Sequence, residues 1–272
     1  MIYRLVFAIV LSGLLTSVSF PAQATTIKRM IILDCGRAIG KDHSLWTPGY
    51  NVGKSVEIAN SCFLIEHRRG YFLWETGVPD RVAELKRGLS AARGNILLFR
   101  DKTLAAQLKA LGVKPNNIGR VAISHRHGDH AGNLTLYSKA TILMQRGEYL
   151  PMANAKKPYF AKGQKIMLLD GDYDVFGDGS VTIIATPGHT PGHQSLLVKM
   201  PKSGAYILTG DAVHFQISWD RGFVPKFNSD KDQTLKSIAR LKQLARQHRA
   251  QIWIGHDKPN TDRIRRLSPI TE

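Results

Sequence analysis

The most constraining feature of this 272-residue chain is a histidine-rich run at Ser124–Gly132. Three histidines and one aspartate fall within six positions of this run, and neither a helix nor a strand could place all four side chains on one face. We therefore expect a loop folded around a ligand. Imidazole and carboxylate groups together suit a borderline divalent metal such as zinc, and a metal-free polar turn is the alternative. The four residues are His125, His127, Asp129 and His130.

The N-terminus has the pattern of a secretory signal. Arg4 precedes an apolar run, Leu5–Leu15, and Pro21–Ala24 offers a small-residue cleavage site. The apolar run is short for a membrane span of about 20 residues, so an uncleaved anchor is the less favoured alternative. We predict a signal peptide over residues 1–24, a periplasmic or secreted location, and one hydrolase domain over residues 25–272. No further membrane span is expected, because no long apolar stretch follows.

The chain is strongly basic, with a formal net charge of +17. Such a balance can indicate a polyanionic partner. The charges are scattered, however, and aromatic residues that could stack on bases are not interleaved with them. We therefore do not expect nucleic acid as a partner and interpret the surface as simply basic.

The sequence leaves open whether the two cysteines, Cys35 and Cys62, are free thiols or form a disulfide. An oxidising compartment would permit a disulfide. Both residues lie in apolar, strand-like runs, where buried free thiols are common, so free thiols are the favoured expectation.

Strand-like and helical patterns alternate along the chain after residue 24. Thr103–Leu111 and Asp232–His248 repeat leucine and isoleucine at helical spacing, and Arg37–Glu57 is expected to be a long functional loop. The alternation predicts a single layered α/β domain. Each candidate ligand directly follows a predicted strand: His125–His130 follow Val121–Ser124, His193 follows Val181–Ala185, Asp211 follows Tyr206–Leu208, and His256 follows Ile252–Ile254.

The full set of candidate ligands is too large for one metal ion. Five histidines and two aspartates exceed four-coordinate binding, whereas two ions that share a bridging carboxylate can use all seven. We therefore predict two divalent metal ions, with Zn²⁺ expected and iron, cobalt or manganese as alternatives. The candidates are His125, His127, Asp129, His130, His193, Asp211 and His256.

These motifs resemble the metallo-β-lactamase superfamily in their order along the chain. The run at 125–130 matches its His-x-His-x-Asp-His signature, and residues 187–193, 210–211 and 255–256 match its later metal-binding segments. The resemblance implies a four-layer αββα sandwich with a dinuclear site at one edge of the sheets. It also implies a first metal on His125, His127 and His193, a second on Asp129, His130 and His256, a bridging Asp211, and a supporting role for His189.

Within the superfamily the chain is most similar to the N-acyl homoserine lactonases. The similarity lies in residues 33–36, 42–44, 47–49, 186–197, 210–212 and 254–257. It implies opening of a lactone ring by a metal-bridging hydroxide, with Asp129 relaying a proton to the leaving oxygen. It also implies that the loop Arg37–Glu57 shapes a pocket for the acyl chain. A small lactone is therefore the expected partner, and a homodimer is possible.

Two positions depart from the pattern of these relatives. His214 stands where many of them carry a tyrosine, three residues after the bridging aspartate, and we predict that it donates a hydrogen bond to the substrate. A pocket-wall residue without a catalytic role is the alternative. Glu75 stands where the superfamily usually has aspartate, which adds one methylene to the side chain.

Four other functions are compatible with parts of the sequence. A zinc β-lactamase would suit the secretory signal, and another ester or thioester hydrolase of the superfamily would have the same ligands. An iron-centred oxidoreductase could use histidine and carboxylate ligands. A non-catalytic basic binding protein would not need seven intact ligand positions.

Overall fold

The structure, a computed structural model, describes residues 26–272, so the predicted signal peptide at 1–24 lies outside the described residues. Nine strands form the larger sheet, in the order β4-β5-β1-β2-β3-β6-β7-β8 with β14 beside β1. These strands are β1 (Ile27–Gly40), β2 (Val56–His67), β3 (Gly70–Trp74), β4 (Leu89–Ala91), β5 (Ile96–Phe99), β6 (Ile118–Ala122), β7 (Thr141–Gln145), β8 (Lys165–Leu169) and β14 (Ile270–Thr271).

The smaller sheet has five strands in the order β13-β12-β11-β10-β9. Four of them form an antiparallel meander, and β13 then pairs with β12 in parallel after a long helical crossover. The strands are β9 (Tyr173–Asp174), β10 (Val181–Ala185), β11 (Gln194–Met200), β12 (Gly204–Leu208) and β13 (Gln251–Trp253). The helices are α1 (Leu104–Ala110), α2 (Arg146–Ala153), α3 (Gln216–Arg221), α4 (Lys231–His248) and α5 (Lys258–Arg265).

The two sheets pack face to face, with helices on both outer faces. Alternate strand residues such as Phe72 and Trp74 of the larger sheet meet Leu196 and Val198 of the smaller one in a shared core. Leu108 of α1 covers the outer face of the larger sheet, and Leu241 of α4 covers that of the smaller one. The predicted αββα sandwich is confirmed. Of the helices in the described part of the chain, none is long and apolar enough to cross a membrane.

The first strand is much longer than the sequence pattern predicted. β1 continues to Gly40 and β2 begins at Val56, so the connection covers residues 41–55 and the predicted loop Arg37–Glu57 is too long. Gly36 lies inside this strand with φ +102°, and a Cβ atom there would come within 2.9 Å of Val78, so the position requires glycine for both reasons. The strand therefore needs the glycine that made the sequence look like a loop.

Cys35 on β1 and Cys62 on β2 form a disulfide, with their Cα atoms 5.6 Å apart. The expectation of two free thiols is wrong. The apolar runs that hold the cysteines are neighbouring strands of one antiparallel pair, which brings the two side chains together.

Candidate metal centre

The histidine-rich loop follows β6 and is held by backbone hydrogen bonds. The carbonyl oxygen of His127 accepts from the amides of His130 and Ala131, which closes a tight turn. The carbonyl oxygen of His130 in turn accepts from the Thr76 amide and hydroxyl. The turn therefore presents its side chains inward from a fixed backbone.

The first cluster contains three imidazoles and one carboxylate. His125 Nε2, His127 Nδ1 and His189 Nε2 lie 2.7, 3.2 and 3.1 Å apart in the three pairings. Asp211 Oδ2 lies 3.6 Å from His125 Nε2 and 3.4 Å from His189 Nε2. Ligands bound tetrahedrally to zinc at 2.0–2.1 Å are about 3.3 Å apart, so these four atoms fit one metal ion.

The second cluster contains two imidazoles and two carboxylates. His130 Nε2 and His256 Nε2 are 3.2 Å apart. Asp211 Oδ1 lies 3.2 and 3.0 Å from them, and Asp129 Oδ2 lies 3.7 Å from each. The ligand atoms of Asp129, His130 and His256 all lie within 4.8 Å of one another, so this set can also hold a metal ion. The two oxygens of Asp211 face different clusters, which is the geometry of a bridging carboxylate.

Protonation states in the first cluster suit metal binding. Burial lowers the pKa of His125 and His189 well below the usual range, so both rings are neutral near pH 7, the form that binds a metal ion. Burial alone would raise the pKa of the Asp211 carboxyl, but His256, His130 and His214 hold that pKa well below its usual range. Asp211 is therefore a carboxylate.

One predicted ligand, His193, lies outside the two clusters. His193 Nε2 accepts a hydrogen bond from the Asp211 amide at 2.9 Å, and its Nδ1 lies 2.9 Å from Thr186 Oγ1. Both ring nitrogens of His193 are thus occupied by protein atoms. His189, which was expected to be a supporting group, lies inside the first cluster. The other six predicted ligands lie in the two clusters.

Four cluster histidines also use their second ring nitrogen. His125 Nδ1 is 2.9 Å from Ser124 Oγ, and His130 Nδ1 is 3.2 Å from Glu75 Oε1. His189 Nδ1 is 2.8 Å from Asn228 Oδ1, and His256 Nδ1 is 2.8 Å from the Ala59 carbonyl oxygen. Such outer contacts fix the tautomer and the orientation of a ligating imidazole. The longer Glu75 side chain thus still reaches His130.

A buried glutamate ties two ligand-bearing loops together. Glu148 on α2 accepts from the Arg126 amide and the Gly192 amide, both at 3.0 Å. The Arg126 guanidinium lies 3.1 Å from the same carboxylate, which balances its buried charge. Sequence reasoning missed Glu148, because nothing in its local pattern separates it from a surface residue of a short helix.

An apolar cavity of about 520 Å³ opens onto the two clusters. Asp129, His214 and His256 form part of its wall on the metal side. Its remaining wall is mainly aliphatic and aromatic, so it fits a substrate with a hydrocarbon tail. The apolar lining residues are Ala38, Leu45, Trp46, Ile58, Ala91, Ala92, Ile96, Leu98 and Phe227.

Comparisons with known proteins agree with this geometry. The model of the family described as "Metallo-beta-lactamase superfamily" matches residues 56–246. An N-acyl homoserine lactonase AttM of Agrobacterium fabrum is 35% identical over 84% of this chain and 93% of its own length. The N-acyl homoserine lactonase AiiA of Bacillus thuringiensis subsp. kurstaki is 31% identical over 85% of this chain and 94% of its own length.

Solved structures give the same result. An N-acyl homoserine lactone hydrolase with the product N-hexanoyl-L-homoserine bound at its catalytic metal centre superposes with a TM-score of 0.77. It is 29% identical, and the match covers 88% of this chain and 96% of that protein. The ordered motifs, the two His/Asp clusters and these similarities together show that the chain belongs to the metallo-beta-lactamase superfamily.

Proposed function

We propose that this protein is a dinuclear-metal hydrolase that opens the lactone ring of N-acyl homoserine lactones. The observation that carries the proposal is the apolar cavity that runs directly into the two His/Asp clusters. Such a shape suits a polar reacting ring attached to an acyl tail. Similarity to lactonases along most of the chain supports the same substrate class.

His125, His127 and His189 would hold one metal ion, and Asp129, His130 and His256 would hold the other, with Asp211 shared between them. The nitrogen-rich donor set favours zinc. Metal ions bound at such a centre polarise a carbonyl group and lower the pKa of water.

Asp129 combines two positions that suit a proton relay. Its Oδ2 lies beside His130 and His256, and its side chain also lines the cavity. The Asn60 side-chain amide donates to the Asp129 carbonyl oxygen at 2.8 Å, which fixes the backbone there. Asp129 can therefore accept a proton from water and return it to the ring oxygen as that oxygen leaves.

The cavity wall would hold the acyl tail while the lactone carbonyl faces the clusters. Water is displaced from the aliphatic wall as the tail enters, which contributes roughly 0.8 kcal/mol of binding for each buried methylene.

We also propose that residues 1–24 direct export to the periplasm or the medium. The Cys35–Cys62 disulfide supports this proposal, because such crosslinks persist mainly in oxidising compartments. Fractionation of cells that produce the full chain, followed by N-terminal sequencing of the exported form, would test it. Retention of an uncleaved chain in the cytoplasm would contradict it.

The decisive experiment is lactone opening by the purified protein. Acid release is followed with short- and long-chain N-acyl homoserine lactones, with a chelator-treated control. Fast, chelator-sensitive opening is expected. No opening by a protein that holds two metal ions would contradict the substrate and leave ester, thioester and β-lactam substrates to be tried.

Asp129→Asn tests the role of the proton relay. The substitution keeps the size of the side chain but removes a group that can accept a proton, so turnover should fall by about 10²-fold or more at full metal loading. Metal content measured by mass spectrometry separates this effect from loss of an ion. Turnover like that of the wild type in the fully loaded variant would exclude the relay.

A further inference from the structure

His214 occupies a position between the two clusters. Its ring centroid is 5.1 Å from that of His189 and 5.4 Å from that of His256. Its Nε2 lies 3.1 Å from Asp211 Oδ2, the oxygen that faces the first cluster. The side chain is 2% exposed, so solvent does not supply its polar contacts.

The surroundings of Asp211 are too crowded for hydrogen bonding alone. Five imidazole nitrogens lie within 3.6 Å of its two oxygens. A carboxylate offers about four acceptor positions, so it cannot accept a hydrogen bond from every ring. The close approach of these rings to Asp211 is explained if the imidazole nitrogens and the carboxylate oxygens bind the same metal ions. The five rings are His125, His130, His189, His214 and His256.

His214 also differs from buried histidines that have ordinary structural partners. Both ring nitrogens of His67 are engaged, Nε2 by Asp178 at 2.9 Å and Nδ1 by the Arg69 amide at 3.0 Å. Among residues 26–272, no partner reaches His214 Nδ1, and the ring's close polar contact is Asp211. The ligand atoms of Asp211, His214 and His256 all lie within 4.8 Å of one another.

We propose that His214 is an eighth ligand of the metal centre and binds through Nε2 beside Asp211. This inference rests on the proposed dinuclear centre and replaces the expected role of His214 as a hydrogen-bond donor to the substrate. The centre then has six imidazole ligands instead of five. A tyrosine at this position, as in many relatives, would not supply a neutral nitrogen donor.

The test counts imidazole ligands in the metal-loaded wild-type protein by X-ray absorption at the metal edge. Six imidazoles per metal pair are expected. Five would overturn the proposal, and this measurement needs no variant that might fail to fold. A protein that binds no metal would contradict the proposed function itself, whereas a count of five would leave that function intact.

The variant His214→Gln gives a second measurement. Its amide can still donate to Asp211 but supplies no imidazole, so the visible spectrum of the Co(II)-loaded protein should change and one imidazole should be lost. Metal release to a chelator should accelerate by about tenfold or more.

His67→Gln is the matched control, since it also replaces a buried histidine that faces a carboxylate. Its spectrum and metal release should equal those of the wild type. An unchanged spectrum and imidazole count in folded His214→Gln would show that His214 acts on Asp211 only by hydrogen bonding.

Discussion

Individual histidines in this site are distinguished by what their second ring nitrogen contacts. His125 and His256 direct one nitrogen into a cluster and fix the other on a hydroxyl or carbonyl oxygen. His193 is also a buried histidine, but both of its ring nitrogens contact protein atoms. The ligand role thus depends on which hydrogen-bond partners the fold places beside each ring.

This difference predicts opposite effects at His189 and His193. His189→Gln should reduce the metal content from two ions towards one per chain, because the first cluster loses a nitrogen donor. His193→Gln should retain two ions, since an amide oxygen can still accept from the Asp211 amide. Metal content is measured by mass spectrometry after gel filtration. The reverse pattern would restore His193 as the ligand.

The loop-tying role of Glu148 predicts a loss of metal affinity. Glu148→Gln keeps the shape of the side chain but removes the charge that pairs with Arg126. We expect metal affinity to fall by about 10–100-fold, as for other outer contacts of metal ligands. Hydrogen bonds to a charged group contribute about 1.5–3 kcal/mol each, so the free energy of unfolding should also fall.

Arg146→Gln is the control for Glu148→Gln. Arg146 belongs to the same helix, but its ion pair with Asp170 is exposed. Unchanged metal affinity in Glu148→Gln, or an equal loss in Arg146→Gln, would contradict the role of Glu148. Affinity is measured by chelator competition.

Residue spacing could predict six of the seven residues in the two clusters but could not choose between His189 and His193. Each follows a Pro-Gly pair within one short loop, His189 after Pro187-Gly188 and His193 after Pro191-Gly192. The choice depends on Thr186 and on the Asp211 amide, which come near only when β10, β11 and β12 pair. Local sequence carries no record of those contacts.

At the scale of elements, strand ends position the site. β6, β10, β12 and β13 each lead into a segment that carries cluster residues, and β3 leads into Glu75. This arrangement could be predicted, because ligands that follow strands gather at one edge of a layered sheet. The length of β1 could not be predicted, because Gly36 and Gly40 are typical of loops. The packing of the strand against Val78 and Trp46 explains both glycines.

The alternation of side chains along β5 predicts which residues contact the acyl tail of the substrate. Ile96 and Leu98 line the cavity, whereas Leu97 between them does not. Ile96→Ala should lower kcat/KM for long-chain lactones by about tenfold, because roughly 1–2 kcal/mol of apolar contact is lost. Short-chain substrates should be unaffected.

Leu97→Ala is the matched control, since it removes the same kind of side chain from the other face of the strand. Its chain-length profile should equal that of the wild type. Equal losses for both variants, or for both chain lengths, would show that Ile96 acts through the stability of β5 alone.

At the scale of the whole molecule, the metal centre joins the two sheets. Its donors come from the larger sheet at His125 and from the smaller sheet at His189, Asp211 and His256. Metal ions that bind only the folded chain should therefore stabilise the contact between the sheets.

Removal of metal should lower the thermal midpoint. A ligand present at 100 times its Kd stabilises a protein by about 2.7 kcal/mol. For a chain of this size, that corresponds to a shift of about 5–11 °C. Thermal unfolding followed by circular dichroism, with and without chelator, measures the shift, and added Zn²⁺ should reverse it. No shift would mean that the sheets pack without help from the metal.

The layered α/β class and the basic character were visible in the sequence because they depend on patterns summed over many residues. The disulfide could not be predicted from the sequence, because its formation depends on the pairing of β1 with β2. The predicted signal peptide and homodimer stay predictions.

The Cys35–Cys62 disulfide and the metal centre can form at different stages of folding. Cys35 and Cys62 need only one hairpin, whereas the centre needs residues as far apart as His125 and His256 and both sheets in contact. A chain that is exported unfolded would close the hairpin early and acquire metal at the end of maturation. The identity of the metal ions in the purified enzyme would then reflect which ions are available in the compartment where folding finishes.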